Sequence, residues 1–509
     1  SKWWARRRSS VFRSMLLAAA IKAPDDPAEA AKLVWDVYYG NHQAKGAFRH
    51  LKIADIFMGG GTTIVEGTRL GMQMYGNDLN PVAWFIVKNE MAQVDKAEVE
   101  ALLKQIEAEV KPQIMPFYAC DCPRGHKGKW TQVSTGKVMA SDFDPLTLTP
   151  QERMDYSYEG PEVIYTFWAK HGPCQVTGCG HRTPILSDPV FAVKSISVKT
   201  WLVDCKHCGE EYDLEERFAR MAPGVEFVTA ATERPHCAAV LDFVGNPKAA
   251  VCPHCGKENT IGKLPRPTKK TVSLQLLIHP DWARGAPSVD ESGRSYGGSA
   301  DDPVEATMRW NSARAATCKL IEFRGELPDC FRLADGTMVR TGKLGGTVPG
   351  KSNFACGKCG TVQDVLESVK ASRKTGPGAI YAVQGYCPDC DHVGEAYGGR
   401  FFTPASENTL LARYDAALGE WETRKDSDLQ DFWPRSEVPY GFMTHKLNGG
   451  IPNHGFTHWW KMFNPRQLLV HSLLLKSIVQ GVDLQQGSFI LGAFQQYFRN
   501  KNLFCLWVI

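Results

Sequence analysis

The sequence has neither a long apolar run, which would place the protein in a membrane, nor a large net positive charge, which would favour nucleic acid. No apolar run approaches the roughly 18 residues that a membrane helix needs, so we expect no membrane partner. The apolar stretch from Met15 to Ile21 is too short for a secretion signal and favours an amphipathic helix. The net charge is only +4, so affinity for nucleic acid would have to come from local basic patches.

The remaining composition is that of a large globular protein. The chain has 509 residues, of which 43% are hydrophobic and 22% are charged. Such a chain can bury a sizeable core, and its length predicts two or more domains.

The most informative segment runs from His50 to Asp78. Apolar residues between His50 and Phe57 predict a short buried strand, and Gly59–Gly61 predict a sharp turn that a ligand can approach closely. Thr62 and Thr63 can cap a following helix, which should stop at Gly71. A second strand, Gln73 to Tyr75, then leads to Asp78.

The details of this turn favour S-adenosylmethionine over a phosphate-bearing cofactor. Ile64 stands where a dinucleotide turn has its last glycine, and no lysine follows as in a P-loop. Asp55 would repel a pyrophosphate but suits a cofactor with a sulfonium and an ammonium group. Asp78, 23 residues after Asp55, can hold ribose hydroxyls across the crevice of a parallel sheet. An ordinary glycine turn in an α/β core remains the alternative.

Several motifs resemble one group of amino-methylating DNA methyltransferases, the large adenine-specific methylases with zinc ribbons inside the catalytic domain. The resemblance covers both ends of the chain and is carried by Asp55-Ile-Phe-Met-Gly-Gly-Gly-Thr-Thr63, Asp78-Leu-Asn-Pro-Val-Ala-Trp84, Trp3-Trp4-Ala5-Arg6-Arg7, Phe463-Asn-Pro-Arg-Gln-Leu-Leu469 and Arg499-Asn-Lys-Asn-Leu-Phe-Cys505. It implies double-stranded DNA as a partner and a bacterial phage-defence or restriction-like setting, in which other defence proteins could also be partners.

We therefore expect an α/β protein: a doubly wound, Rossmann-like class I methyltransferase sheet with a large inserted zinc-ribbon domain. The expected segments are 1–115 (helices and cofactor-binding half), 116–400 (insertion, candidate for target recognition) and 401–509 (helical return to the methyltransferase domain). The expected cofactor-binding residues are Asp55, Phe57, Gly59, Gly60, Gly61, Thr62, Thr63, Asp78, Asn80 and Pro81.

Sixteen cysteines form the second strong pattern, and most occur as closely spaced pairs. The pairs are Cys174/Cys179, Cys205/Cys208, Cys252/Cys255, Cys356/Cys359 and Cys387/Cys390. Short spacing aims two thiolates at one tetrahedral ion, so the ten residues are candidate Zn²⁺ ligands. Disulfides are the rival interpretation, but a large chain with a cofactor fold points to the reducing cytoplasm.

The spacing predicts a ribbon from Cys356/Cys359 and Cys387/Cys390, because the 27 residues between these pairs can hold a β-hairpin. Cys174/Cys179 could join Cys205/Cys208 or close onto Cys252/Cys255. Adding Cys120 and Cys122 would give twelve ligands and three zinc ions, with His126, His181 and Cys237 as possible substitutes. Cys318, Cys330 and Cys505 are interpreted as core residues or bystanders.

Basic residues are clustered in two regions. Arg6, Arg7, Arg8 and Arg13 lie on a predicted first helix, where they form either a solvated face or a contact with DNA phosphate. Lys269, Lys270, Arg373 and Lys374 give the insertion basic spots. Its zinc ribbons could serve target recognition or act only as structural cross-links.

One expected motif is missing. The resemblance implies an Asp, Asn or Ser followed by Pro-Pro and an aromatic residue, which positions the target amine of a flipped base. No two prolines are adjacent in the chain, and Asn80-Pro-Val and Val438-Pro-Tyr are imperfect look-alikes. We expect the motif to lie past Ile509. The alternatives are a catalytically silent zinc-ribbon protein that binds nucleic acid, and a cytosine-N4 methyltransferase.

Overall fold

The structure is a computed structural model of the chain. It describes residues 7–39, 46, 48–216, 224–229, 238–241, 248–350, 352–393, 398–406, 408–441, 444, 450–480 and 484–498. Arg6, Cys237 and the Arg499–Cys505 motif lie outside the described residues.

Helices and strands alternate at first, and strands dominate the middle of the chain. The helices are α1 Ser9–Ala20, α2 Pro27–Tyr38, α3 Thr62–Arg69, α4 Pro81–Met91, α5 Lys96–Ile114, α6 Pro150–Arg153, α7 Pro280–Ala283, α8 Val304–Ala316, α9 Gly342–Gly345, α10 Val365–Ser372, α11 Pro388–His392, α12 Asn408–Arg424, α13 Pro465–Gln480 and α14 Leu484–Phe498. The strands are β1 Lys52–Asp55, β2 Gln73–Gly76, β3 Lys129–Gln132, β4 Tyr156–Glu159, β5 Glu162–Pro173, β6 His181–Pro184, β7 Val190–Asp204, β8 Glu211–Glu216, β9 Val225–Thr229, β10 Ala238–Leu241, β11 Ala249–Val251, β12 Glu258–Thr260, β13 Thr268–Ile278, β14 Ala286–Pro287, β15 Leu320–Arg324, β16 Cys330–Arg332, β17 Met338–Arg340, β18 Asn353–Ala355, β19 Val362–Asp364, β20 Gly378–Tyr386 and β21 Arg400–Pro404.

The described residues form two compact units. The first contains the described residues up to Ala108 and those from 474 to 498, and the second contains the described residues from Glu109 to Leu473. The described residues between 401 and 473 therefore lie in the second unit, and those from 474 to 498 in the first.

The first unit is built around a β–α–β element. Strands β1 and β2 are parallel neighbours, with Lys52 opposite Gln73 and Asp55 opposite Gly76. Helix α3 connects the two strands and ends before Gly71, whose φ of +83° suits the glycine predicted to terminate it. The order of strand, glycine turn, helix and second strand is the one the sequence predicted.

Helix α1 packs against α3 through a buried charge. Glu66 on α3 is 1% exposed, and its carboxylate pairs with Arg13 on α1 at 2.9 Å and with Arg69 at 2.7 Å. Removing either arginine would leave a buried carboxylate less compensated. Arg13 therefore docks α1 onto α3 and does not lie on a solvated face of the helix.

The second unit is mostly β-structure. Its five-stranded sheet has the order β14-β6-β5-β20-β21, and its six-stranded sheet the order β10-β8-β7-β13-β15-β9. The two sheets share one apolar core, to which β7 and β13 contribute Val198 and Leu274 and to which β20 contributes Ala382. Helix α8 lies against β20, where Trp310 donates from Nε1 to the Gly378 carbonyl at 3.0 Å. The insertion is thus built from two packed sheets, and small two-stranded hairpins are attached to them.

Among the described residues, none of the helices has the length and apolar content that crossing a bilayer requires.

Candidate functional site

The turn after β1 is held in a fixed conformation by its own backbone. Asn77 donates to the Asp55 carbonyl at 2.9 Å, and Met58 donates to the Asn77 carbonyl at 3.1 Å. Gly59 and Gly61 have φ of +50° and +73°, which is the left-handed region that glycine tolerates best. The two parallel strands and the glycine turn therefore form one hydrogen-bonded loop at the carboxyl end of the strands.

Asp78 connects this loop to the end of β2. Its Oδ2 accepts a hydrogen bond from the Gly59 N–H at 2.8 Å, and its Oδ1 accepts one from the Asn80 N–H at 2.8 Å. The Asn80 bond and then the Gly59 bond lower the pKa of the carboxyl group, so it is ionised at neutral pH. An ionised carboxylate has about four acceptor positions, so Asp78 can still accept bonds from a ligand.

Asp55 and Asn80 orient the neighbouring segments. The Asp55 carboxylate accepts from the Phe57 N–H at 3.2 Å, and the Asn80 side chain accepts from the Val82 N–H at 2.9 Å. Asn80 is thus the N-cap of α4, with Pro81 at the first helical position. All ten predicted cofactor residues lie in this loop or at the starts of α3 and α4.

The predicted capping of α3 by Thr62 or Thr63 is wrong. The N-cap is Gly61, and no side chain caps the helix. The left-handed φ of Gly61 starts the helix one residue earlier than the prediction assumed, so both threonines fall inside the first turn. No acceptor for the N–H groups of residues 62–64 is found in the described part of the chain. These groups can therefore bind an anionic ligand group.

Two large apolar side chains adjacent to the loop in sequence are exposed to solvent. Phe57 is 76% exposed and Leu79 is 91% exposed, and each lies next to a residue of the hydrogen-bonded loop. Exposed apolar residues beside ordered polar groups are the usual composition of a small-molecule site. The loop thus combines two acids, free helix N–H groups and apolar side chains.

We expect the Gly61→Ala variant to disturb this loop. A Cβ on Gly61 would lie 2.5 Å from Cγ2 of the buried Val87, in addition to adopting an unfavourable φ. The combined cost is roughly 2–4 kcal/mol, seen as faster hydrogen exchange at the α3 amides. Adding Val87→Ala removes the overlapping carbons and should restore part of the protection. If the double variant exchanges as fast as or faster than Gly61→Ala, the contact with Val87 is not the cause.

Three groups of four side chains in the second unit have the geometry of metal sites. They are Cys122/His126/Cys387/Cys390, Cys174/Cys179/Cys356/Cys359 and Cys205/Cys208/Cys252/Cys255. Within each group all four ligand atoms lie within 4.8 Å of one another. All ten predicted cysteines are members, and Cys122 and His126 complete the twelve.

The sulfur separations match a tetrahedral metal and not a disulfide. Sγ–Sγ distances between the pairs are 3.6 Å (Cys122–Cys390), 3.7 Å (Cys174–Cys359) and 3.7 Å (Cys205–Cys255). Two thiolates about 2.3 Å from a tetrahedral zinc lie about 3.8 Å apart, whereas a disulfide places them about 2.05 Å apart. The donor sets of the three groups therefore fit Zn²⁺.

The first group is the most enclosed. Cys387 and Cys390 are at most 1% exposed, and the His126 Nδ1 lies 3.3 Å and 3.4 Å from their Sγ atoms. Burial raises the pKa of the Cys122 thiol to about 12, so this thiol is neutral unless a cation binds beside it. A closed site with four protein ligands has no position for a substrate and is typical of structural zinc.

The predicted ribbon joining Cys356/Cys359 to Cys387/Cys390 is wrong. Strand β20 lies between the two pairs, and its nine residues span about 30 Å. It runs antiparallel to β5, so Gly378 faces Lys170 and Tyr386 faces Glu162. One pair therefore lies near the end of β5, beside Cys174/Cys179, and the other near its start, beside Cys122.

The remaining described candidate ligands lie outside the three metal groups. Cys120 is buried but belongs to none of the three groups, so the Cys120 and Cys122 pair does not act together. The His181 Nε2 lies 2.8 Å from the Arg284 carbonyl, outside every group. The sequence signal that identifies Cys122 and His126 as partners is Cys122-Pro-Arg-Gly-His126, because this spacing places a thiol and an imidazole on one tight turn. Cys318 is buried and Cys330 is exposed, and neither is in a group.

The structure thus has an α/β unit with a hydrogen-bonded glycine turn and a β-rich unit with three groups of four side chains that could each hold a metal ion. No family model and no solved structure matches the chain. Among curated proteins, it is 27% identical over 67 residues to the Type II methyltransferase M.MvaI of Kocuria varians. The aligned stretch is 13% of this chain and 15% of that protein's length.

Proposed function

We propose that this protein is an S-adenosylmethionine-dependent methyltransferase that modifies the N6 amine of adenine in double-stranded DNA. The observation that carries the proposal is the clamped loop in which Asp78 holds Gly59 and Asn80 while Asp55 lies on the neighbouring strand. The short likeness to a type II methyltransferase supports the same class of reaction. The phage-defence or restriction-like setting is part of this proposal and rests on the motif resemblance.

The residues of the loop fit the chemical groups of S-adenosylmethionine. The free acceptor positions of Asp78 suit ribose hydroxyls, and the N–H groups of residues 62–64 suit the cofactor's carboxylate. Phe57 and Leu79 offer apolar surface for the adenine ring. Asp55 favours the cationic sulfonium and ammonium groups. When bound, the cofactor supplies an electrophilic methyl group; the chain's own residues bind and orient it.

The fit to a phosphate-bearing nucleotide is poorer. Residues 55–63 contain one acid and no lysine or arginine. A pyrophosphate at the start of α3 would therefore meet the Asp55 and Asp78 carboxylates without a compensating cation. Asp55 and the missing lysine therefore oppose NAD and ATP, whereas Asp78 suits the ribose of either kind of cofactor.

The metal sites have a supporting role in the proposed function. A bound Zn²⁺ would supply a tetrahedral cross-link and no redox chemistry. Two of the groups join segments separated by more than 170 residues, so their metals would hold the two-sheet body together. We propose the insertion as the part that contacts target DNA.

A second candidate is a catalytically silent zinc-ribbon protein that binds nucleic acid. The observation in its favour is that no Pro-Pro tetrapeptide occurs in the sequence. The alternative methylated base, the N4 amine of cytosine, requires the same chemistry and is separated only by product analysis.

The experiment is transfer of a labelled methyl group from the cofactor to unmodified duplex DNA. It is run with this chain and with the chain extended by its natural downstream sequence. Label in DNA that digests to N6-methyladenosine supports the proposal, and N4-methylcytidine identifies the sub-alternative. If neither protein transfers label although both bind the cofactor and DNA, the silent alternative replaces it.

A further inference from the structure

The three metal groups differ in what they connect. The groups at Cys122 and at Cys174 each join segments separated by more than 170 residues. The third joins Cys205/Cys208 to Cys252/Cys255, which are about 50 residues apart, and it is built on the two-stranded sheet of β11 and β12. This third group therefore belongs to a local module at the side of the six-stranded sheet.

Positive charge is concentrated in one of the two halves of the third module. Residues 248–270, which we name the basic ribbon, contain Lys248, Lys257, Lys263, Arg266, Lys269 and Lys270 but only one acid, Glu258. The other half, residues 204–216, has six acids and one lysine. The separation of the two signs gives the ribbon side a local positive field that the overall composition does not show.

Most of these cations are available to a partner. Lys248, Lys257, Lys263, Arg266 and Lys269 are all exposed. Lys270 pairs with Glu215 at 3.1 Å. For the other five, no ion pair is found within the part of the chain that the structure describes.

The backbone holds two of the cations outward. Ile261 and Leu264 pack against the small core around Trp201 and Tyr212, which leaves Lys263 and Arg266 on the solvent side. Pro265 and Pro267 flank Arg266 and restrict its backbone. A segment ordered before binding loses less conformational entropy when a partner arrives.

Hydrogen bonds fix the rest of the module. The Asn259 side chain donates to the Asp204 carbonyl and to the Tyr212 hydroxyl, both at 3.0 Å. The His207 Nε2 lies 3.0 Å from the Glu258 carbonyl, which ties the Cys205–Cys208 turn to β12. The basic side chains thus project from a rigid scaffold.

We propose that the basic ribbon contacts the phosphate backbone of the DNA substrate, while the other two metal groups are structural. The inference rests on the proposed function, because it takes DNA as the partner. Phosphate contacts by lysine and arginine carry no sequence information and set the position of the protein on the duplex. The ribbon therefore anchors the insertion, and base recognition lies elsewhere in the protein.

The test replaces Lys257, Lys263 and Arg266 together with alanine in the full chain. Binding is measured by fluorescence anisotropy with a labelled mixed-sequence duplex of about three helical turns, over a series of salt concentrations. Each lost phosphate contact lowers the salt slope by about 0.9, so we expect a slope smaller by about 2–3 and at least ~10-fold weaker binding near physiological salt. Zinc content and S-adenosylmethionine binding should be unchanged.

The matched control is the triple variant Lys129→Ala, Lys137→Ala and Lys343→Ala, which removes the same charge from exposed positions of the same unit. It should retain the wild-type salt slope. An unchanged slope in the ribbon variant, or an equal loss in both variants, overturns the inference and leaves the ribbon to an acidic protein partner. If the wild-type chain itself fails to bind any duplex, the proposed function fails as well, so the two failures are distinguishable.

Discussion

Replacing Asp78 with alanine should abolish binding of S-adenosylmethionine while the first unit stays folded. The variant removes the acceptor for the Gly59 and Asn80 N–H groups and the acceptor positions proposed for the ribose. Hydrogen bonds to a charged group contribute about 1.5–3 kcal/mol each. Losing the two proposed bonds to the ribose hydroxyls therefore weakens cofactor binding by at least about 100-fold. Isothermal titration with the cofactor measures the loss, and circular dichroism reports the fold.

The matched control is Asp95→Ala. Asp95 also accepts hydrogen bonds from two backbone N–H groups, those of Ala97 at 2.6 Å and Glu98 at 3.3 Å, and it lies in the same unit. It therefore removes the same charge and the same kind of helix-start contact away from the loop. Undiminished cofactor binding by Asp78→Ala, or an equal loss in Asp95→Ala, would remove Asp78 from the site.

The second large effect is expected from Cys387→Ser, which breaks the most enclosed metal group. The protein should bind two metal ions instead of three, and inductively coupled plasma mass spectrometry measures the number of ions per chain. Structural zinc contributes about 10–16 kcal/mol in small peptides, comparable to or larger than the roughly 5–15 kcal/mol stability of a domain. We therefore expect the second unit to lose its cooperative thermal transition. Cys330→Ser, at an exposed cysteine outside every group, is the control.

Double variants test the pairing of the cysteines directly. Cys179→Ser combined with Cys356→Ser should lose one metal ion, because both residues belong to one group, with Sγ atoms 3.8 Å apart. Cys356→Ser combined with Cys387→Ser should lose two. The rejected ribbon predicts the reverse for the second combination, a loss of one ion. A count of two remaining ions there would restore that ribbon and contradict the structure.

The conformation of the glycine-turn loop could be predicted from sequence because its determinants are local. The β1–α3–β2 element places Gly59–Gly61 and Asp78 within 20 residues of one another, and each step depends on neighbouring residues. The exception is the start of α3, where the backbone conformation of Gly61 and not a threonine side chain begins the helix.

The cysteine pairs could not be assigned to common metal groups from the sequence, because the order of the strands decides which pairs meet. The short spacing of the cysteines identifies the ligating pairs. Strand β20 crosses the five-stranded sheet, however, and separates Cys356 from Cys387. Nothing in the 27 residues between the pairs distinguishes a hairpin from a central strand of a sheet that also needs β5 and β21. The division of residues 401–473 from the first unit has the same origin, since β21 joins that sheet.

Calorimetric titration of the intact chain with S-adenosylmethionine, NAD and ATP in parallel tests the central claim most directly. Asp55, with no lysine or arginine in residues 55–63, predicts saturable one-to-one binding of S-adenosylmethionine and no binding of the phosphate-bearing nucleotides. Binding of NAD or ATP with no response to S-adenosylmethionine would contradict the account.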